Sequence, residues 1–161
     1  MSELLWTPST DRVNNSNISK FLSYLKENKI VEINDYHQLY NWSISNFDKF
    51  WEIIWNFSGI IHTKSFNTVL IDKGIKDSNW FIGAELNFAQ NLLRFDDDQI
   101  ALVSHRENYR SVRISYKQLN QFVKKAANAL KCFGVKKGDR VAGYVSNIPE
   151  AVIAMLAATS I

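Results

Sequence analysis

Gly134-Val135-Lys136-Lys137-Gly138-Asp139-Arg140-Val141-Ala142-Gly143-Tyr144-Val145-Ser146-Asn147-Ile148-Pro149-Glu150 reads as a helix end, a tight turn, a buried strand, a short loop and the start of a second helix. Gly134 falls where a left-handed residue closes a helix. Val141–Val145 is apolar throughout, as expected of a strand covered on both faces. Pro149 fits a first helical turn and Glu150 suits its positive end. This is the half-turn of an α/β fold, and the rest of the chain is read outward from it.

Upstream, Leu119, Phe122, Val123, Ala126, Leu130 and Phe133 keep a 3.6-residue period, which predicts a helix. Ser115 opens it, with Gln118 three residues on as a capping box. Cys132 lies in this stripe and is expected to be a small core residue. Ile100–Val103 and Ser111–Ile114 read as two strands, and the polar segment between them, with Asn108, predicts a hairpin. Downstream, residues 151–158 are apolar all round, so that helix expects burial on most sides. A strand–helix unit needs a following parallel strand to complete its crossover. None follows Ile161, and the chain reads as the first part of a larger protein: a deliberately shortened chain, a split gene or a decayed gene.

The first half follows a different pattern. Residues 1–16 read as an extended arm whose Trp6 packs into a groove. Ile18, Phe21, Leu22 and Leu25 mark one helix face, capped by Ser16 or Asn17. Asn34 or Asp35 caps a short helix with Tyr36, Leu39 and Tyr40. Ser45-Asn46-Phe47-Asp48 matches a capping box, ahead of an aromatic packing stripe of Phe47, Phe50, Trp51 and Ile54. Thr68–Ile71 is the one strand-like run in residues 58–80. Gly83 suits a turn and Asn87 the cap of a short helix. Asp96-Asp97-Asp98 is a solvated linker, because consecutive carboxylates do not converge on one ion without a shaped loop.

Composition narrows the function class. The 161 residues are 46% hydrophobic and 13% aromatic, a globular balance. The net charge of +3 is scattered, without the basic run of a nucleic-acid footprint. No window approaches the ~20 apolar residues of a membrane span, and Met1–Trp6 lacks the pattern of a signal peptide, so a cytoplasmic protein is expected. One cysteine excludes an internal disulfide. The dinucleotide fingerprint, the Walker loop, the nucleophile elbow and the zinc helix are all missing. His37, His62 and His105 are far apart and read as ordinary surface or partly buried residues. No catalytic, cofactor-binding or metal-binding residue is assigned.

Gly134-Val135-x-x-Gly138-Asp139-Arg140-Val141-Ala142 followed by Asn147-Ile148-Pro149-Glu150-Ala151 resembles the early part of the adenylate-forming acyl-CoA synthetases. There a helix with an Ala-Ala-x-x-Leu pattern, here Ala126, Ala127 and Leu130, precedes the same turn. Trp80-Phe81-x-Gly83-Ala84-x-Leu86-Asn87 resembles the acetyl-CoA synthetase branch. Leu5-Trp6-x-Pro8-Ser9, Ser16-Asn17 and Asn91-Leu92-Leu93 look like the acetoacetyl-CoA synthetases within it. The resemblance covers residues 5–161.

It implies an α/β fold: a helical, aromatic-rich N-terminal extension over 1–98, then the start of the AMP-binding domain over 99–161 (a hairpin, then βαβα with the sheet unfinished). It implies an acid–thiol ligase in which a carboxylate, acetoacetate, attacks the α-phosphate of ATP and CoA then displaces AMP. ATP, Mg²⁺ and CoA belong to the full-length family. The family's phosphate loop, acidic contacts and catalytic lysine lie beyond Ile161, so this chain is expected to hold no cofactor and to be inactive alone. The matched residues are expected to be scaffold, with Trp80 and Phe81 anchoring the extension to the main domain. Three other readings stay open: a non-catalytic interaction module, a split-gene subunit that binds the rest of a ligase or itself, and an acetyl- or propionyl-CoA synthetase-like ligase. Neither nucleic acid nor membrane is an expected partner.

Overall fold

In the computed structural model, residues 5–107 and 109–161 are described, and they hold seven helices and four strands. They form two units. The first runs to Ile60 and takes in Phe66–Gly83; the second takes in Ile61–Ser65 and Ala84–Ile161.

In the first unit, α1 (Thr10–Asn14) starts at Ser9, whose side chain accepts from the Arg12 N–H. The expected extended arm is therefore helical here, because one cap and Asp11 in the first turn suffice for a single turn without apolar periodicity. Trp6 is not seated in a groove. It is 65% exposed, with the Arg12 guanidinium 5.6 Å from its ring centre. Ser16 caps α2 (Asn17–Glu27), which buries Phe21 and Leu25 as its period requires. Asp35 caps α3 (Tyr36–Ser45) by accepting from the Gln38 N–H, and the Asn34 N–H donates to Gln38 Oε1.

The capping box expected at Ser45 does not form. Asn46 is the N-cap of α4 (Phe47–Phe57), without a side-chain cap bond, and its amide donates instead to the Trp42 carbonyl. Ser45 still belongs to α3, so its backbone serves the earlier helix. The expected stripe of α4 packs, Phe50 and Ile54 against the core and the partly exposed Phe47 and Trp51 against Trp80, while the most buried residues of the helix are Ile53 and Trp55. One core is built from Phe21, Leu25, Ile33, Leu39 and Ile53.

Strand β1 (Thr68–Ile71) pairs antiparallel with β2 (Asn79–Ile82), Leu70 opposite Trp80. β2 was not expected; its signal is four residues long and blends into the aromatic run that follows. Trp80 packs edge-on to Phe47 and Trp51, and Phe81 meets Trp55 and Phe66. These partners belong to the first unit, where the two rings tie β2 to α4 and Phe66. Between the strands, Asp72 Oδ1 accepts from the Gly74 N–H and from Ser78 Oγ. Those two bonds hold its carboxyl below the ordinary value.

Helix α2 ends with the Lys29 N–H on the Lys26 carbonyl and the Ile30 N–H on the Leu25 carbonyl. That double closure needs a left-handed residue, and Lys29 adopts it at φ 53°. A Cβ there costs ~1 kcal/mol. Lys29→Gly is therefore expected to stabilise the first unit by about 0.5–1 kcal/mol. The check is the midpoint of urea unfolding followed by tryptophan fluorescence.

In the second unit, Asn87 caps α5 (Phe88–Leu92). Strands β3 (Ile100–Ser104) and β4 (Val112–Ser115) pair antiparallel with an irregularity between Ile100 and Leu102. The hairpin is as the sequence predicts; Asn108 lies outside the described residues. Ser115 and Gln118 form the full capping box of α6 (Tyr116–Cys132). Helix α7 (Pro149–Thr159) has Pro149 in its first turn. Leu119, Val123 and Ala127 of α6 form a core with Leu156 and Ala157 of α7, Ala89 of α5 and Ile114 of β4. Burial of α7 is narrower than its all-round apolar sequence predicts: Leu156 and Ala157 are buried, and Met155 is exposed.

Two expectations are corrected. Cys132 is exposed, because at about 100° per residue it falls on the face of α6 opposite Val123, while Leu130 in the same turn packs on the core. Val141–Val145 pairs with no strand among the described residues and lies exposed. An apolar run becomes a strand only where another supplies its hydrogen bonds, and no described strand does so here.

Candidate functional site

The stretch after α6 is built by local rules. The Gly134 N–H bonds to the Lys131 carbonyl and the Val135 N–H to the Leu130 carbonyl, with Gly134 at φ 90°. This is a Schellman closure, and glycine supplies its left-handed residue without strain. A turn follows in which the Asp139 N–H bonds to the Lys136 carbonyl. Asp139 Oδ2 also accepts from the Lys136 N–H at 2.9 Å. The backbone donors of Lys136 and Asp139 are thus used within the turn itself.

What the turn presents is an apolar surface. Phe133 is 87% exposed, Tyr144 fully so and Val145 60%. The β-branched and aromatic residues of 141–145 favour a pleated partner. Exposed apolar area of this kind marks interaction surfaces.

The other motif residues do structural work. Asn87 Oδ1 accepts from the Gln90 N–H while its amide donates to the Thr159 carbonyl, 2.9 Å away at the end of α7. Asn91 pairs with the backbone of Ile61 in both directions, donating to its carbonyl at 2.8 Å and accepting from its N–H at 2.9 Å. Asn120, buried in α6, donates to the Phe95 carbonyl at 2.7 Å. Sequence periodicity does not single out Asn120, since a polar residue in a helix is read as solvent-facing.

The three histidines are exposed, as expected, and are not brought together. His105 Nδ1 lies 2.6 Å from Ser111 Oγ across the hairpin. Asp97 Oδ1 accepts from the Gln99 N–H, a turn contact rather than a ligand geometry. Among the described residues no three His, Cys, Asp or Glu side chains converge to hold a metal ion. The donor set for Mg²⁺ does not fit here, and no step is assigned to these residues through it. No helix among the described residues is long and apolar enough to cross a membrane.

The sequence comparisons divide the chain in two. Residues 36–92 match the family described as acetyl-coenzyme A synthetase N-terminus, and residues 88–161 match the AMP-binding enzyme family. The chain is thus similar to the AMP-binding enzymes over residues 88–161 and to the acetyl-coenzyme A synthetase N-terminus over residues 36–92. It is 37% identical to the acetoacetyl-CoA synthetase of Xenopus tropicalis over 164 residues, covering 99% of this chain and 24% of that protein. Identity to the acetoacetyl-CoA synthetase of Rhizobium meliloti (strain 1021) is 31%, again over 24% of the longer protein. The solved acetoacetyl-CoA synthetase from Streptomyces lividans matches with a TM-score of 0.82 and 31% identity, over 98% of this chain and 25% of that one. The chain thus spans about a quarter of the length of these relatives, and it corresponds to their N-terminal part.

Proposed function

We propose that this chain supplies the N-terminal scaffold of an acid–thiol ligase that joins acetoacetate to CoA using ATP. A carboxylate is a poor electrophile. Its oxygen attacks the α-phosphate of ATP, diphosphate leaves, and the acyl-adenylate carries AMP as a good leaving group. The CoA sulfur then attacks the acyl carbon, AMP departs and acetoacetyl-CoA forms. The observation behind this reading is the match of 98–99% of the chain to acetoacetyl-CoA synthetases over a quarter of their length. The residues described here contribute caps, turns and packing to that scaffold. The reacting groups come from the part of the ligase that this chain does not include.

Acetoacetate-dependent exchange between ATP and labelled diphosphate tests the proposal. The purified chain alone is expected to give no exchange with acetoacetate, acetate or propionate. Co-expressed with the remaining three-quarters of the Xenopus tropicalis enzyme, it is expected to give exchange that acetoacetate supports best. Turnover by the 161-residue chain alone would overturn the scaffold reading. Preference for acetate or propionate in the complemented enzyme would move the assignment to the sister ligases.

A second reading is carried by the exposed Tyr144 and Val145: a non-catalytic module that pairs with another chain through residues 141–145. It predicts a stable complex with the remaining segment, lost in Tyr144→Asp and Val145→Lys, even where no exchange activity appears. Light scattering after size exclusion decides it.

A further inference from the structure

The second unit carries a groove of about 680 Å³ between α5, α6 and the end of α7. Its floor is apolar, with Leu93 after α5 and Val123 and Ala127 from α6. Its rim is cationic, with Lys124 and Lys131 from α6 facing the α5 side. The directions follow from helix geometry. At about 100° per residue, Lys124, Ala127 and Lys131 fall within about 60° of one another, so the two lysines share the face of α6 that carries the floor. Asn120 lies on that face too, and its buried amide is already bonded to the Phe95 carbonyl.

These lysines have no acidic neighbour. Helix α6 holds four lysines and no aspartate or glutamate in its 17 residues. A solvated helix face interleaves opposite charges three or four positions apart. Around Lys124 and Lys131 those positions within α6 hold Asn120, Gln121, Ala127 and Asn128. None of the seven acidic residues of the second unit lines the groove. Asp97 sits at the opposite end of α6, where its carbonyl accepts from the Lys117 N–H and its Oδ1 from the Gln99 N–H. The ion pair among the described residues, Lys64 with Glu85, lies outside the groove.

We propose that this groove docks an acidic amphipathic helix of a partner protein, with carboxylates seven positions apart set against Lys124 and Lys131 and apolar residues between them on Leu93 and Ala127. Seven residues of helix span about 10 Å, so a partner helix lying along α6 brings its carboxylates into register with the two lysines. Charge pairs of this kind set partner choice and orientation where helices run side by side. The apolar floor supplies contact area, which an amphipathic helix covers through anchors at i, i+3, i+4 and i+7. A nucleic-acid backbone fits less well, because it would leave Leu93 and Ala127 uncovered between the lysines. The docking does not depend on the ligase reading.

Fluorescence anisotropy of a labelled synthetic helix, titrated at low salt with the intact chain, tests the proposal. The probe is about three heptads long, with glutamate at every seventh position beside a leucine stripe. Saturable binding is expected, and Lys124→Gln combined with Lys131→Gln is expected to weaken it about tenfold or more. Both positions are exposed and glutamine keeps the helix propensity of lysine, so the circular dichroism spectrum stays unchanged. Charge exchange gives a second readout: Lys124→Glu with Lys131→Glu should reject the glutamate helix and bind its lysine counterpart. Lys76→Gln, in the first unit, should bind like the parent. A scrambled peptide of the same composition and a DNA duplex should each bind about tenfold or more weakly than the helix. Absence of saturable binding, unchanged affinity in the glutamine double variant, or equal affinity for the scrambled peptide or the duplex each overturns the proposal.

Discussion

Leu25→Ala is expected to lower the stability of the first unit by about 3 kcal/mol, within the range for a fully buried leucine. Leu25 has no exposed surface and sits among Phe21, Ile33, Leu39 and Ile53. Truncation removes apolar area and leaves a cavity that the surrounding helices fill only in part. Phe21 is held edge-on by Phe50 and Phe57, at 6.0 and 5.0 Å between ring centres. Rings fixed in that way do not move readily into the space. Ile18, on the same helix but 47% exposed, is the control: Ile18→Ala should cost under about 1 kcal/mol. All five tryptophans, Trp6, Trp42, Trp51, Trp55 and Trp80, belong to the first unit. Intrinsic fluorescence during urea unfolding therefore reports this unit directly. A Leu25→Ala shift no larger than that of Ile18→Ala would show that the core of α2 is not where the structure places it.

The features legible in sequence are those set by neighbours a few residues away. Ser115 with Gln118, Ser16, Asp35, Asn87 and the closure at Gly134 all act within one turn, so residue type and spacing suffice. The β3–β4 hairpin was legible for the same reason. The missed features depend on what lies across the chain. Cys132 is apolar and sits among the apolar residues near the end of α6, yet it falls on the face opposite Val123 and stays open while Leu119 is buried. Ser45 and Ser115 carry similar local signals, but Ser45 is still inside α3. Residues 141–145 have the composition of a covered strand and no described strand beside them. The cleft lined by Ile114, Phe122 and Ile153 draws on the hairpin and on two helices, and no local pattern joins β4 and α6 to α7.

The same distinction bears on function. The stretch read first, Gly134 to Glu150, contributes a helix closure, a turn closed between Lys136 and Asp139, and a helix start. Asn87 and Asn91, in the other matching stretch, fasten α5 to the end of α7 and to Ile61. Side chains with such defined bonding would mark a family as clearly as catalytic groups do, because each has one geometry to meet. This is why a chain can resemble a ligase family through residues whose described bonds are structural.

Val123→Asp is expected to abolish the packing of α6 on α7. Val123 is 2% exposed and touches the cluster of Leu119, Ala127, Leu156 and Ala157. No cation belongs to that cluster, so a carboxylate there would be buried without a partner. Burying an unpaired charge costs several kcal/mol, comparable to the total stability of a small domain at roughly 5–15 kcal/mol. Val123→Ala removes two methyl groups and should cost only about 1–3 kcal/mol. Amide exchange read by mass spectrometry on peptides covering Tyr116–Cys132 and Pro149–Thr159 separates the two. Val123→Asp should exchange both helices within the earliest time point, while Val123→Ala should retain slow exchange in each. Burial raises an aspartate's pKa, so protonation as the pH falls towards and below that value removes part of the penalty, and protection should partly return there. Slow exchange of both helices in Val123→Asp at neutral pH would mean that α7 does not cover this face of α6.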